Sequence, residues 1–217
     1  MSQSYGKTRW KRFALVMVPS VAATAAIGIS LANSALAASF SISGQSFKVT
    51  TDDLHGYGFT QFGGVDASAP DSKGVKTYHP VAISGFDSAT IKNLCQSVDT
   101  NLGPLGHWTL VLNAGQGDKQ VEATNLMLDV EQLNADATFY DINIGQDAST
   151  LKGGAVDKYK ADGNALPTGA QGFAQAAREA HLTGVQQTAW ATSAGTFKLA
   201  GLKLNIKQGN GAGVECY

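Results

Sequence analysis

Hydrophobic and polar positions alternate with a period of two along much of this chain, the pattern of strands that bury one face. Phe40 and Ile42 alternate with serines; after Gly44 the phase shifts to Phe47 and Val49, which predicts a tight turn or a bulge. Trp108, Leu110 and Leu112 alternate with His107, Thr109 and Val111. The run Gly115-Gln116-Gly117-Asp118 then reads as a hairpin turn into a strand over residues 121–133. Leu202, Leu204 and Ile206 alternate with Lys203, Asn205 and Lys207, the most regular half-buried strand pattern present. Residues 63–76 and 152–172 are rich in Gly and polar side chains, contain proline, and read as loops. After the second loop, Phe173, Ala176, Ala177 and Ala180 share one helical face and predict a short helix over residues 173–181.

A loose internal repeat runs through the strands. Segments starting at Ala89, Ala137 and Ala180 share the form A-x-Φ-x-(N/D/G)-Φ, with Φ apolar, and Gly195 opens a looser copy. The spacing is too uneven for a solenoid. The expected fold is mainly β: one domain, an antiparallel curved sheet or sandwich with weakly repeated strands and one short helix.

The first 37 residues follow a different pattern. Lys7, Arg9, Lys11 and Arg12 form a basic head, residues 13–32 carry no charge, and Ala35-Leu36-Ala37 is a small-x-small processing site. This is the order of a secretory signal. Cleavage between Ala37 and Ala38 releases a β-rich extracytoplasmic domain, 38–217. The apolar run is also long enough to span a bilayer as an N-terminal transmembrane helix, so retention would leave the domain membrane-anchored. Either way the expected location is outside the cell or at its surface.

Charge narrows the partners. Losing residues 1–37 removes four positive charges and no negative one, so 16 basic against 17 acidic side chains becomes 12 against 17. That balance excludes a nucleic-acid footprint and simple electrostatic attraction to anionic lipid. Arg178 is the only arginine after the leader, so a phosphate or carboxylate receptor built on bidentate clamps is excluded too. The two cysteines, Cys95 and Cys216, read as a disulfide in an oxidising compartment. A zinc or redox site would need a C-x-x-C or paired histidines beside them, and the sequence has neither.

Candidate chemistry is sparse. Ala191-Thr192-Ser193-Ala194-Gly195 is a degenerate nucleophile elbow with Ser193 as the catalytic candidate. Strand-like residues follow it where an elbow needs a helix, and no histidine lies after it. His55, His79, His107 and His181 show no metal-ligand spacing. Asp129 and Glu131 share a strand face and could serve as an acid–base pair, or simply as a solvated face. No cofactor or metal site is expected. A curved sheet that fails to close could hold an apolar ligand on the face otherwise filled by Trp108, Trp190 and the phenylalanines.

Several segments together are recognisable: the head Ser4-Tyr5-Gly6-Lys7-Thr8-Arg9-Trp10-Lys11-Arg12-Phe13-Ala14, then Asn93-Leu94-Cys95-Gln96-Ser97, Glu122-Ala123-Thr124-Asn125-Leu126 and Asp136-Ala137-Thr138-Phe139. Gln187-Thr188-Ala189-Trp190-Ala191-Thr192, Gly195-Thr196-Phe197-Lys198-Leu199 and the terminal Glu215-Cys216-Tyr217 complete the set. The chain resembles, nearly end to end, a family of exported proteins from high-GC Gram-positive bacteria, a domain of unknown function with some members automatically named "cholesterol esterase". The resemblance implies export, envelope association and the paired cysteines, and carries over no catalytic residue. The function expected is that of an exported, non-enzymatic envelope protein that binds an apolar ligand such as a lipid, or a surface partner. The alternatives are a secreted lipid or sterol esterase using Ser193, and a structural or adhesive surface protein.

Overall fold

The computed structural model describes residues 41–71 and 73–217. The expectations for residues 1–40, including the processing site at Ala37 and Ala38, lie outside the described residues. Four long antiparallel strands carry the architecture: β2 (Phe47–Ser68), β3 (Tyr78–Lys92), β6 (Val121–Tyr140) and β8 (Phe173–Ser193). β2 pairs with β3, β3 with β6, β6 with β8, and β8 returns to β2, so the ring of pairings closes into a small barrel. β1 (Ser41–Ile42) lies parallel to the far end of β2, at Ala67 and Ser68. The phase shift after Gly44 therefore separates two strands that are not a hairpin.

Three more strands form a wing. β4 (Leu94–Asn101) takes over from β3 along the first residues of β2, and β5 (His107–Ala114) and β10 (Lys203–Gln208) extend the sheet outward. β7 (Asn143–Asp147) continues β8 past the end of β6, and β9 (Thr196–Lys198) pairs with β6. The single α-helix among the described residues, α1 (Gly154–Ala161), covers the outside of the barrel. The mainly β, antiparallel expectation holds, with closure into a barrel rather than a sandwich. The Gly115–Asp118 turn does not make a hairpin: β5 pairs with β4 and β10, whereas β6 pairs with β3, β8 and β9.

One row of irregular residues organises the barrel. Gly58 (φ 65°), Asp87 and Asn125 (φ 49°) lie on neighbouring strands and stand outside the regular register. On each strand the side-chain phase flips there, as at a bulge. Leu54, Phe59, Phe86, Ala89, Ile91, Leu126, Leu128 and Val130 consequently all point inward to one core with Ala177, Ala180, Leu182 and Val185 of β8. The flip turns Phe62, Val81, Ile83 and Met127 outward, where they form a second cluster under Ala155 and Val156 of α1. A side chain at Gly58 would collide with Asp87, whose Oδ1 accepts the Ala155 N–H at 3.0 Å and so caps α1.

The predicted helix over residues 173–181 is strand instead. Ala174, Ala177 and Ala180 fill narrow interior positions beside large rings, and that packing outweighs alanine's helix preference. The observed helix sits inside the stretch expected to be a loop, 152–172. The repeat does not correspond to one structural position: Ala89 and Ala180 are buried and Ala137 is exposed.

Candidate functional site

The outward phase of β2 and β6 after the bulge row carries Asp66 and Asp129 into one cleft of about 80 Å³. Tyr159 of α1, Asp162, Asn164 and Ser193 complete its polar lining, with Val65, Met127 and Ala191 beside them. Asp66 Oδ2 and Asp129 Oδ1 are both buried without a hydrogen-bond partner among the described residues. Burial, reinforced by the Asp66 charge, pushes the Asp129 carboxyl up to about 7. Asp66 is also raised by burial, against the lowering effect of His79. Burial and the two carboxylates push Tyr159 up to about 12. Asp129 is therefore half-buried rather than on the solvated face its strand position suggested; it shares the cleft with the half-buried Asp66 of β2, and Glu131 stays exposed. The alternative of an acid–base pair between Asp129 and Glu131 meets a strand irregularity on both sides of Val130, which interrupts the face they would share.

Ser193, the sequence candidate for a nucleophile, lines this same cleft at the end of β8. The chain turns after it into β9, so the surroundings are strand–turn–strand. Among the described residues no histidine hydrogen-bonds to Ser193. His79 lies flat on Trp190, with ring centres 3.6 Å apart and 24° between planes. His107 is bonded to Asp99 at 2.7 Å, on the wing. The remaining two histidines meet elsewhere: His55 and His181 face each other across β2 and β8.

The wing presents the second feature. Leu94, Gln96 and Val98 of β4, Trp108, Leu110 and Leu112 of β5, and Leu204 and Ile206 of β10 share one face, in register across the three strands. This face continues the inner wall of the barrel. Leu94 and Gln96 line a void of about 30 Å³ at the barrel end, together with Phe197. Farther out the face is uncovered: Leu204 is 59% and Ile206 67% exposed. The alternation over 202–206 does belong to a strand, β10, but not to a half-buried one, since every residue of β10 is exposed. β10 ends the sheet, and nothing described packs over its apolar side. Trp108 Nε1 donates to the Leu105 carbonyl at 3.0 Å, so the indole offers this face only its apolar ring.

The opposite face of the wing is covered over β4 and β5. Residues 209–217 run back across it, with Gly209 O accepting from Thr109 Oγ1 at 2.7 Å and Cys216 N–H donating to Ser97 Oγ at 3.1 Å. Cys95 and Cys216 are joined in a disulfide. Lys48 pairs with Glu215 and reaches the Tyr217 carbonyl at 3.0 Å. Thr109, Val111 and Ser97 are buried beneath this strap.

Among the described residues no three His, Cys, Asp or Glu side chains converge as a metal cage, and no helix is long and apolar enough to cross a membrane. A sequence profile described as a family of unknown function, DUF6230, matches residues 43–217. No curated protein and no solved structure matches the chain.

Proposed function

We propose that this chain, a member of the family of unknown function DUF6230, is an exported, non-enzymatic envelope protein that lays the apolar chain of a lipid on the open face of its wing. One observation carries this reading: the sheet β4–β5–β10 has one face strapped by a disulfide-linked tail and the other left apolar and uncovered. A contiguous exposed apolar face on a soluble domain marks a place where something binds. Leu110, Leu204 and Ile206 make no directional polar demand, which suits a hydrocarbon better than a peptide. The barrel interior is no alternative berth. Its voids are about 30 and 40 Å³, whereas ligand cavities run from roughly 300 Å³ upward. Export rests on the basic, apolar and small-residue order of residues 1–37, and a disulfide suits an oxidising compartment.

The test is binding of a naturally fluorescent polyene fatty acid, read by energy transfer from Trp108. Ile206→Asp and Leu204→Asp are expected to abolish the signal without unfolding the protein, since both side chains already face solvent. Binding that survives both substitutions would overturn the assignment. No binding, together with a dimer on sizing, would instead favour the structural reading, in which the free edge of β10 pairs with a second copy.

An esterase reading remains attached to Ser193, because it shares a cleft with Asp129 and Tyr159. A strand after the turn and a cleft without histidine both argue against it. Ser193→Ala is expected to leave any turnover of a p-nitrophenyl ester unchanged; loss of turnover would restore the nucleophile.

A further inference from the structure

His55 on β2 and His181 on β8 are directly opposed across the antiparallel pair, on the outer face of the barrel. Their ring centres are 5.5 Å apart, with 61° between planes. Each ring gives the same nitrogen to a carboxylate: His55 Nε2 meets Glu179 Oε1 at 2.8 Å, and His181 Nε2 meets Asp53 Oδ2 at 2.9 Å. We propose that this pair is a binding site for a divalent transition ion, with Zn²⁺ the ion its geometry fits.

A carboxylate on Nε2 fixes the tautomer. Nε2 carries the proton and donates it to the acid, which leaves Nδ1 of each ring as a free lone pair. A carboxylate behind the ring, orienting it and raising its basicity, is the usual support of a ligating histidine. Here both rings have one, on opposite strands of a rigid pair. One of the two acids is held in turn: Arg178 bridges Glu179 at 2.9 Å and Asp141 at 2.7 Å. Its charge is thereby spent on carboxylates rather than set against the pair. The His55 hydrogen bond is the largest of the effects that hold the Glu179 carboxyl below its usual range; burial opposes it and Arg178 adds to it.

Ring separation decides whether one ion can join both. An ion about 2.0–2.1 Å from one nitrogen of each ring stands roughly 3.2 Å from each ring centre, so two ligating rings lie at most roughly 6.4 Å apart. With both Nδ1 atoms turned to one ion, ring centres 5.5 Å apart would give a nitrogen–metal–nitrogen angle of about 120°, nearer the tetrahedral preference of zinc than the right angle of square-planar copper. The side chains are 35% and 40% exposed, so an ion can reach them from solvent. With no third protein ligand converging among the described residues, water occupies the other positions and the site stays open to a further ligand.

Calorimetric titration of Zn²⁺ into the untagged full-length chain tests this, with Co²⁺ absorption as the report on geometry. One saturable site per chain is expected, with visible bands of a four- or five-coordinate cobalt ion. His55→Ala and His181→Ala should each weaken binding by at least about tenfold, and Glu179→Gln and Asp53→Asn by about tenfold through the supporting hydrogen bonds. His107→Ala, which removes a carboxylate-bonded histidine on the wing, should leave affinity unchanged. Binding that persists at full strength in both alanine variants, or the absence of a saturable site, overturns the proposal.

Discussion

Replacing Cys95 or Cys216 with serine is expected to lower the unfolding free energy by about 5 kcal/mol, the largest single effect that a substitution in this chain should have. The cysteines are 121 residues apart. Closing a loop of that length removes about 16 cal/mol/K from the unfolded chain, or about 5 kcal/mol at 25 °C. For a domain of this size the corresponding fall in melting temperature is roughly 10–20 °C. The loss should be local as well as global. The strap of residues 209–217 keeps Lys48–Glu215, Cys216 N–H to Ser97 Oγ and the Thr188–Tyr217 hydroxyl contact, but each is a single polar interaction. Without the covalent link, the buried Ser97, Thr109 and Val111 should become accessible before the barrel melts. Hydrogen exchange of β4 and β5 in the reduced and oxidised protein, with calorimetric melting, measures both effects. An unchanged midpoint would show that the polar contacts alone hold the strap, and would remove the reason to regard the wing as a two-faced sheet with one face permanently sealed.

What the sequence disclosed depended on whether the deciding contact was near or far along the chain. Alternation over 107–112 and 202–206 identified β5 and β10, because period two is a local property. It could not say that β10 sits at the end of a sheet, which left Leu204 and Ile206 uncovered. The alanines of 174–180 read as helix because their propensity is local, while the phenylalanine rings that demand small neighbours come from other strands. α1 was missed for the complementary reason. Its cap is Asp87, 68 residues upstream, and its own first residues are glycines. The bulge row hid the phase of three strands at once, since nothing local in the sequence marks Gly58, Asp87 and Asn125 as neighbours.

The site residues divide in the same way. A pair of cysteines could be assigned to each other from their number and the expected oxidising compartment alone. Ser193 was visible as a motif, and the structure gives it a cleft but no histidine. Asp129 was noticed with the wrong partner, since Asp66 lies beyond the reach of any spacing rule. His55 and His181 had no sequence signal at all. Their meeting depends on the β2–β8 register, in which a shift of one residue would put one of them in the core.

The cleft should make the stability of this protein fall as pH rises through neutrality. The Asp129 carboxyl titrates near 7 in the folded protein and near 3.8 when unfolded. Between those values the folded state holds a proton that the unfolded chain has released. Stability from this group is therefore complete below about pH 4 and is lost progressively as pH rises to about 7, at up to about 1.4 kcal/mol per pH unit. Asp66, raised by burial and facing the same cleft, acts in the same direction. The Asp129 shift alone corresponds to on the order of 4 kcal/mol. Carboxylates held low, such as Asp147 by its Ser149 and Gly169 hydrogen bonds, act in the opposite sense and over more acid pH. The measurement is therefore a difference between two proteins. Asp129→Asn keeps the shape and cannot ionise, so urea unfolding should show equal stability near pH 4 and an advantage for the variant that grows to a few kcal/mol by pH 8. Parallel curves would mean that the Asp66–Asp129 cleft admits enough water to hold both charges. The burial that sets this shift comes from α1 and Tyr159 over the carboxylates. Substitutions that loosen the helix, such as removal of its Asp87 cap, should therefore weaken the pH dependence together with the fold.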